Sequence, residues 1–210
     1  MSNVSDNNRN KLLKAAAELF SDKGFDAVST RDLCTRAEVN VAAISYYFGG
    51  KEGLYLEVFR EYSQKLADRI DSALSNHQGK VNSRVEMEKA LRDLIETFVQ
   101  IRIHQPEISI VLQRHAIDKI PGVREAFHST MQPVGANLTQ FFQDLQSAKM
   151  IREDVNVRSF IAIMVESIWG YFSLQDRGGS LLQDAYRLPA DQEKFADFLS
   201  QIFVRGITSN

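Results

Sequence analysis

The chain has 210 residues, 44% hydrophobic and 25% charged, with 25 Lys and Arg against 27 Asp and Glu, a formal net charge of −2. This balance fits a globular chain with a real core and excludes the strongly basic composition that marks many nucleic-acid binders. The single cysteine, Cys34, excludes an internal disulfide and a multi-cysteine zinc site and fits a reducing compartment.

The first 60 residues are balanced as well, with eight Lys and Arg against eight Asp and Glu. The polar opening MSNVSDNNRN lacks the apolar core of a signal peptide. No apolar run approaches the ~18–20 residues of a membrane span, so the cytoplasm is the expected compartment. Spacing near 3.6 residues dominates, and no alternating Val/Ile/Thr run suggests a sheet, so the expected fold is all-α.

In chain order, residues 7–23 place Leu13, Ala16, Ala17 and Phe20 on one helical face, with Gly24 as the stop. Ser29 and Asp32 form a capping-box pattern that opens a second helix with Leu33, Cys34 and Ala37 inward. Val39 and Asn40 make a turn, and Asn40 is a good N-cap for a third helix from Val41 to about Phe48, with Ile44 and Phe48 inward. After Gly49-Gly50 a fourth helix begins at Lys51 and runs to about residue 75. A lysine there faces the positive end of the helix dipole. Either an anion such as phosphate sits beside it, or it is a solvated lysine balanced by Glu52.

A polar loop covers residues 76–84, and a helix follows from about Val85 to His104 before Pro106. A further piece spans Glu107 to Asp118, and Pro121-Gly122 marks a turn. An amphipathic segment runs from Val123 to about Lys149, with Pro133 a candidate kink. Asn156 to Leu174 is apolar almost all round, which places core on one face and a subunit interface on the other. A last helix covers Asp191 to about Val204.

Residues 8–60 resemble the TetR family of bacterial transcription regulators, through LLKAAAELFSDKGFDAVSTRDL and AEVNVAAISYYFGGKEGLY. Ala37, Val39, Ile44, Tyr47, Phe48, Lys51, Glu52 and Leu54 keep the family register. Glu38 stands where the family often has Gly, Ser45 where Tyr is common, and Gly50 where Ser is common. NVAAISYYFGGKEGLYLEV looks most like the CecR-like branch. The resemblance implies a helix-turn-helix DNA-binding domain over 1–52 and a helical effector-binding and dimerisation domain over 53–210.

By the same resemblance, Thr30, Tyr47 and Lys51 match phosphate-contacting positions, and Val41, Ala42, Ala43, Ser45 and Tyr46 match the base-facing part of the recognition helix. Of the polar groups there, Asn40, Ser45 and Tyr46 can hydrogen-bond, while Val41 and the alanines can only touch thymine methyls or allow close approach. Tyr46 and Tyr47 could instead be a core pair, and Cys34 either a redox sensor or an inert core residue. Candidate effector contacts are the apolar Phe98, Met164, Trp169 and Phe172, which could equally fill the core, and the polar Arg102, Gln113, His115 and Glu166, each of which could equally be surface.

The expected function is a ligand-responsive regulator, a repressor that binds a pseudo-palindromic operator as a homodimer and is released by a small-molecule effector. No cofactor, metal or catalytic residue is expected. His77, His104, His115 and His128 form no HExxH motif, and Gly49-Gly50-Lys51 lacks the spacing of a phosphate loop. The alternative is a helical dimeric interaction protein without sequence-specific DNA binding, which the neutral first domain and Glu38 allow.

Overall fold

The structure is a computed structural model that describes residues 2–118, 120–176, 178 and 185–208, apart from the side chains of residues 2–6 and 114–118. Among the described residues the chain is all-α, with no strand. Its helices are α1 (Ser2–Lys23), α2 (Thr30–Ala37), α3 (Ala42–Phe48), α4 (Lys51–Ser75), α5 (Arg84–His104), α6 (Pro106–Asp118), α7 (Val123–Ser147), α8 (Val157–Asp176) and α9 (Gln192–Ile207). Helix α1 starts five residues earlier than the apolar spacing indicates, because residues 2–6 are mostly polar and lend the pattern no face.

The helices form two compact units, residues 1–66 with 106–132 and residues 67–105 with 133–210. In the first, α1 packs on α2, α3 and α6. Leu12, Ala16 and Phe20 of α1, Leu33 and Cys34 of α2, Ile44 of α3, and Leu54, Tyr55, Val58 and Phe59 of α4 are buried. Ile108, Val111 and Leu112 of α6 belong to the same unit's core, so residues 106–132 pack with the N-terminal helices. Pro106 is the first residue of α6, where its missing N–H costs no hydrogen bond. Helix α7 runs on through Pro133, and the boundary between the units falls at that proline.

In the second unit, α5 packs on α8 and α9. Met164, Ile168 and Phe172, one turn apart, form the buried face of α8. The opposite side exposes Ile163 (62%) and Leu174 (40%), and α9 exposes Phe198 (44%) and Ile202 (48%). By length and composition alone α8 is long and apolar enough to cross a membrane, contrary to the reading of the sequence. Its packed face, with charged Arg158 and Glu166 exposed, is that of a bundle helix.

Candidate nucleic-acid interface

The site is built from helix ends. Ser29 caps α2: its Oγ accepts the Asp32 N–H at 3.1 Å, while Asp32 Oδ2 accepts the Ser29 N–H at 2.9 Å. The Ser29 hydroxyl also donates to Asp32 Oδ2 at 2.6 Å. These bonds hold the Asp32 carboxyl below the usual carboxylate range, the hydroxyl contributing most. Thr30, the first residue of the helix, is exposed.

Helix α2 ends at Glu38, whose backbone is left-handed at φ 55° and ψ 47°. That conformation costs an L-residue roughly 1–2 kcal/mol and glycine little. The departure at this position is therefore a departure in backbone strain as well as in charge. Glu38→Gly should raise stability by about 0.5–1 kcal/mol, the strain relief less the extra freedom glycine brings to the unfolded chain. Urea unfolding would show it, and a lower midpoint for the variant would contradict this account.

Asn40 caps α3 as its sequence position suggests. Its Oδ1 accepts the Ala42 N–H at 2.8 Å, and its backbone carbonyl accepts the Ala43 N–H at 2.9 Å. Its side-chain NH2 remains to donate outward. The buried Cys34 thiol donates to the same carbonyl at 3.7 Å, and burial raises its pKa, which suppresses the thiolate and favours a packing role over a redox one.

Helix α3 turns Ile44 inward, at 1% exposure. Val41 (52% exposed), Ala42, Ser45 and Tyr46 (79% exposed) share the outward face, with Val41 above Ser45 and Ala42 above Tyr46. Ala43 and Tyr47 are half-buried at its margin. The Tyr46 and Tyr47 rings meet edge to face at 4.9 Å, so the two phenols form a surface pair. Phe48, expected to point inward, is half-buried, and the Arg9 guanidinium lies 5.5 Å from its ring centre. Arg9 in turn pairs with Glu57 of α4, which ties α1, α3 and α4 together.

Gly49, left-handed at φ 73°, closes α3 with its N–H on the Ser45 carbonyl at 3.1 Å, and Gly50 follows at φ 137°. The pattern did not single out Gly53. A Cβ built there would stand 1.8 Å from the Phe48 carbonyl oxygen, so the end of α3 rests directly on the first turn of α4.

Lys51, the first residue of α4, is half-buried, with its ammonium 4.1 Å from the Phe25 ring centre. A cation at a helix N-terminus costs ~0.3–1 kcal/mol. A cation–π contact returns ~0.5–1 kcal/mol, enough to offset that cost. The ring therefore explains how a lysine is tolerated there, a reading the choice between phosphate and Glu52 did not include.

The family model of bacterial regulatory proteins of the tetR family matches residues 12–58, which span most of α1, all of α2 and α3, and the start of α4. The N-terminal domain belongs to the TetR family. The chain is 25% identical to the HTH-type transcriptional repressor NicS of Pseudomonas putida, over 97% of its own length and 93% of the relative's. It is 39% identical to the HTH-type transcriptional dual regulator CecR of Shigella flexneri over 69 residues, 33% of this chain and 29% of that one. Among relatives matched at 35–40% identity, the match covers 29–43% of the relative's length. The fold is similar to a TetR family transcription regulator from Marinobacter aquaeolei, with a TM-score of 0.71, 19% identity and full coverage of both chains.

The candidate effector contacts divide between the units. In the second, Phe98, Met164, Trp169 and Phe172 are buried, and Phe98 meets Trp169 edge to face at 5.8 Å. Arg102, with its side chain 11% exposed, pairs with Asp176 at the end of α8 and lies 5.2 Å from the Phe172 ring centre. The second unit thus gathers Phe98, Arg102, Trp169 and Phe172 into one cluster. Glu166 is exposed on α8, and Gln113 is exposed on α6 in the first unit. The side chain of His115 lies outside the described residues. Among the described residues no three metal-binding side chains gather.

Proposed function

We propose that this chain is a cytoplasmic, homodimeric, ligand-responsive transcription regulator, a repressor of the TetR type rather than an enzyme, which binds a pseudo-palindromic operator and leaves it when a small molecule binds. Residues 1–52 are the DNA-binding part, and residues 53–210 serve effector binding and dimerisation. The observation that carries this reading is the outward face of α3. Val41, Ala42, Ser45 and Tyr46 are exposed on a short helix, and Thr30 and Lys51 are the first residues of α2 and α4. Small side chains let a helix lie deep in a major groove, and the Thr30 hydroxyl and Lys51 ammonium are groups of the kind that contact phosphates.

Ser45, Tyr46 and the Asn40 amide are the hydrogen-bonding groups of that face, and Val41, Ala42 and Ala43 give close approach or methyl contact. Direct readout from so few polar groups is modest, which leaves a share of specificity to DNA shape. The kind of effector contact this reading assigns to the second unit is the cluster of Phe98, Arg102, Trp169 and Phe172, with Met164 beside it in the core. The repressor name of NicS supports the polarity of control.

Charge separates the two proposed phosphate contacts in an assay. Lys51→Ala should weaken operator binding and reduce the slope of log K against log salt by ~0.9 for each phosphate that is no longer neutralised. Tyr47→Ala should weaken binding and leave the slope alone, because a phenol releases no counterion. Mobility-shift titrations across a salt series measure both, and wild-type binding by both variants would refute the assignment.

A further inference from the structure

The Lys51 ammonium does not hang in solvent. It sits 4.1 Å from the centre of the Phe25 ring, and that ring is itself held. Phe25 lies 5.9 Å from Phe20 and 5.3 Å from Tyr55, the second contact edge to face at 82°. Phe20 and Tyr55 are fully buried and meet each other at 5.0 Å. Tyr55 stands one turn beyond Lys51 on α4, so ring and ammonium are fixed to the same helix from two directions. An aromatic face engages one side of an ammonium and leaves the donors on the other side free for an anion.

We infer that Phe25 is the positioning residue for Lys51, holding its ammonium at the start of α4 where a DNA phosphate meets it. The inference rests on the proposed role of Lys51 as a phosphate contact. Phe25 adds no charge to the interface; its contribution is to remove side-chain freedom that a flexible lysine would otherwise lose on binding. The effect should therefore appear in affinity, not in the number of counterions released.

The test is a double-mutant cycle on the full-length protein with an operator duplex, read by fluorescence anisotropy over a salt series. Phe25→Leu should weaken binding roughly fivefold, the scale of ordering one flexible side chain on binding, with the salt slope kept. In the Lys51→Ala background the same change should have no further effect. Phe25→Tyr, which retains a ring face, should bind like wild type, and this variant keeps the test valid if leucine loosens the fold. In the free protein the Lys51 ε-methylene protons should show an upfield ring-current shift that Phe25→Leu abolishes. An equal loss from Phe25→Leu with and without Lys51, or no loss at all, would overturn the inference and leave the phosphate role standing. Wild-type binding by Lys51→Ala alone would instead overturn the phosphate role, and the inference with it.

Discussion

Gly53→Ala is expected to destabilise the N-terminal unit by roughly 3 kcal/mol, the upper range for forcing atoms into a packed site. The cause is the 1.8 Å between a Cβ at residue 53 and the Phe48 carbonyl oxygen. Backbone, unlike the tip of a flexible side chain, has no rotamer by which to step aside. The end of α3 would have to lift off α4, and this moves the helix that carries Val41, Ser45 and Tyr46. Operator affinity should therefore fall together with stability. Gly135 in the middle of α7 is the control, since a Cβ there meets nothing within 4 Å. Gly135→Ala should stabilise by ~1 kcal/mol, because alanine is the better helix former. The same chemical change thus has opposite signs at two helical glycines, and the unfolding midpoints of the two variants decide it. A midpoint for Gly53→Ala at or above wild type would mean that the α3–α4 junction is looser than described.

The second large effect concerns assembly. Ile163 and Leu174 on α8, with Phe198 and Ile202 on α9, are large apolar side chains left open on the second unit. A subunit interface covers such a face in the proposed homodimer. Ile163→Asp combined with Ile202→Asp should place two unpaired carboxylates in that interface, which is strongly unfavourable. Both positions are exposed in the single chain, so each protomer should keep its helical content by circular dichroism. Light scattering should then report a monomer. A lone protomer grips one half-site only, and without the linked second half-site operator binding should weaken by ~100-fold or more. A double variant that remains dimeric would move the interface elsewhere on the surface.

Local rules made part of this structure legible in the sequence. Ser29 and Asp32 follow a four-residue capping pattern, Asn40 caps through its own side chain, and Gly49 ends a helix in the left-handed conformation; each works within a few residues of chain. The outward face of α3 could likewise be read from one buried position, Ile44, and helical spacing. What remained hidden depends on residues brought together from a distance. Phe25 and Lys51 are separated by several turns of chain, and no periodicity links an aromatic residue in a loop to the first residue of a later helix. Gly53 looks like any glycine in a helix until the Phe48 carbonyl is placed upon it. The packing of residues 106–132 with the N-terminal helices is hidden for the same reason, since the apolar face of α6 reads identically whichever core receives it. Glu38 is an intermediate case. The family comparison marks its position, but only its φ of 55° shows why glycine is the common choice there.

The central claim is that the outward face of α3, presented twice by a dimer, reads a particular DNA sequence. Selection of binding sites from a random duplex library by the purified full-length protein tests it most directly. The expected result is enrichment of an inverted repeat whose half-site centres lie roughly 34–36 Å apart, one turn of the double helix, or a multiple of that spacing. Retention of the library with no enriched sequence, or no retention even at low salt, would contradict it and favour a dimeric helical protein that does not recognise an operator.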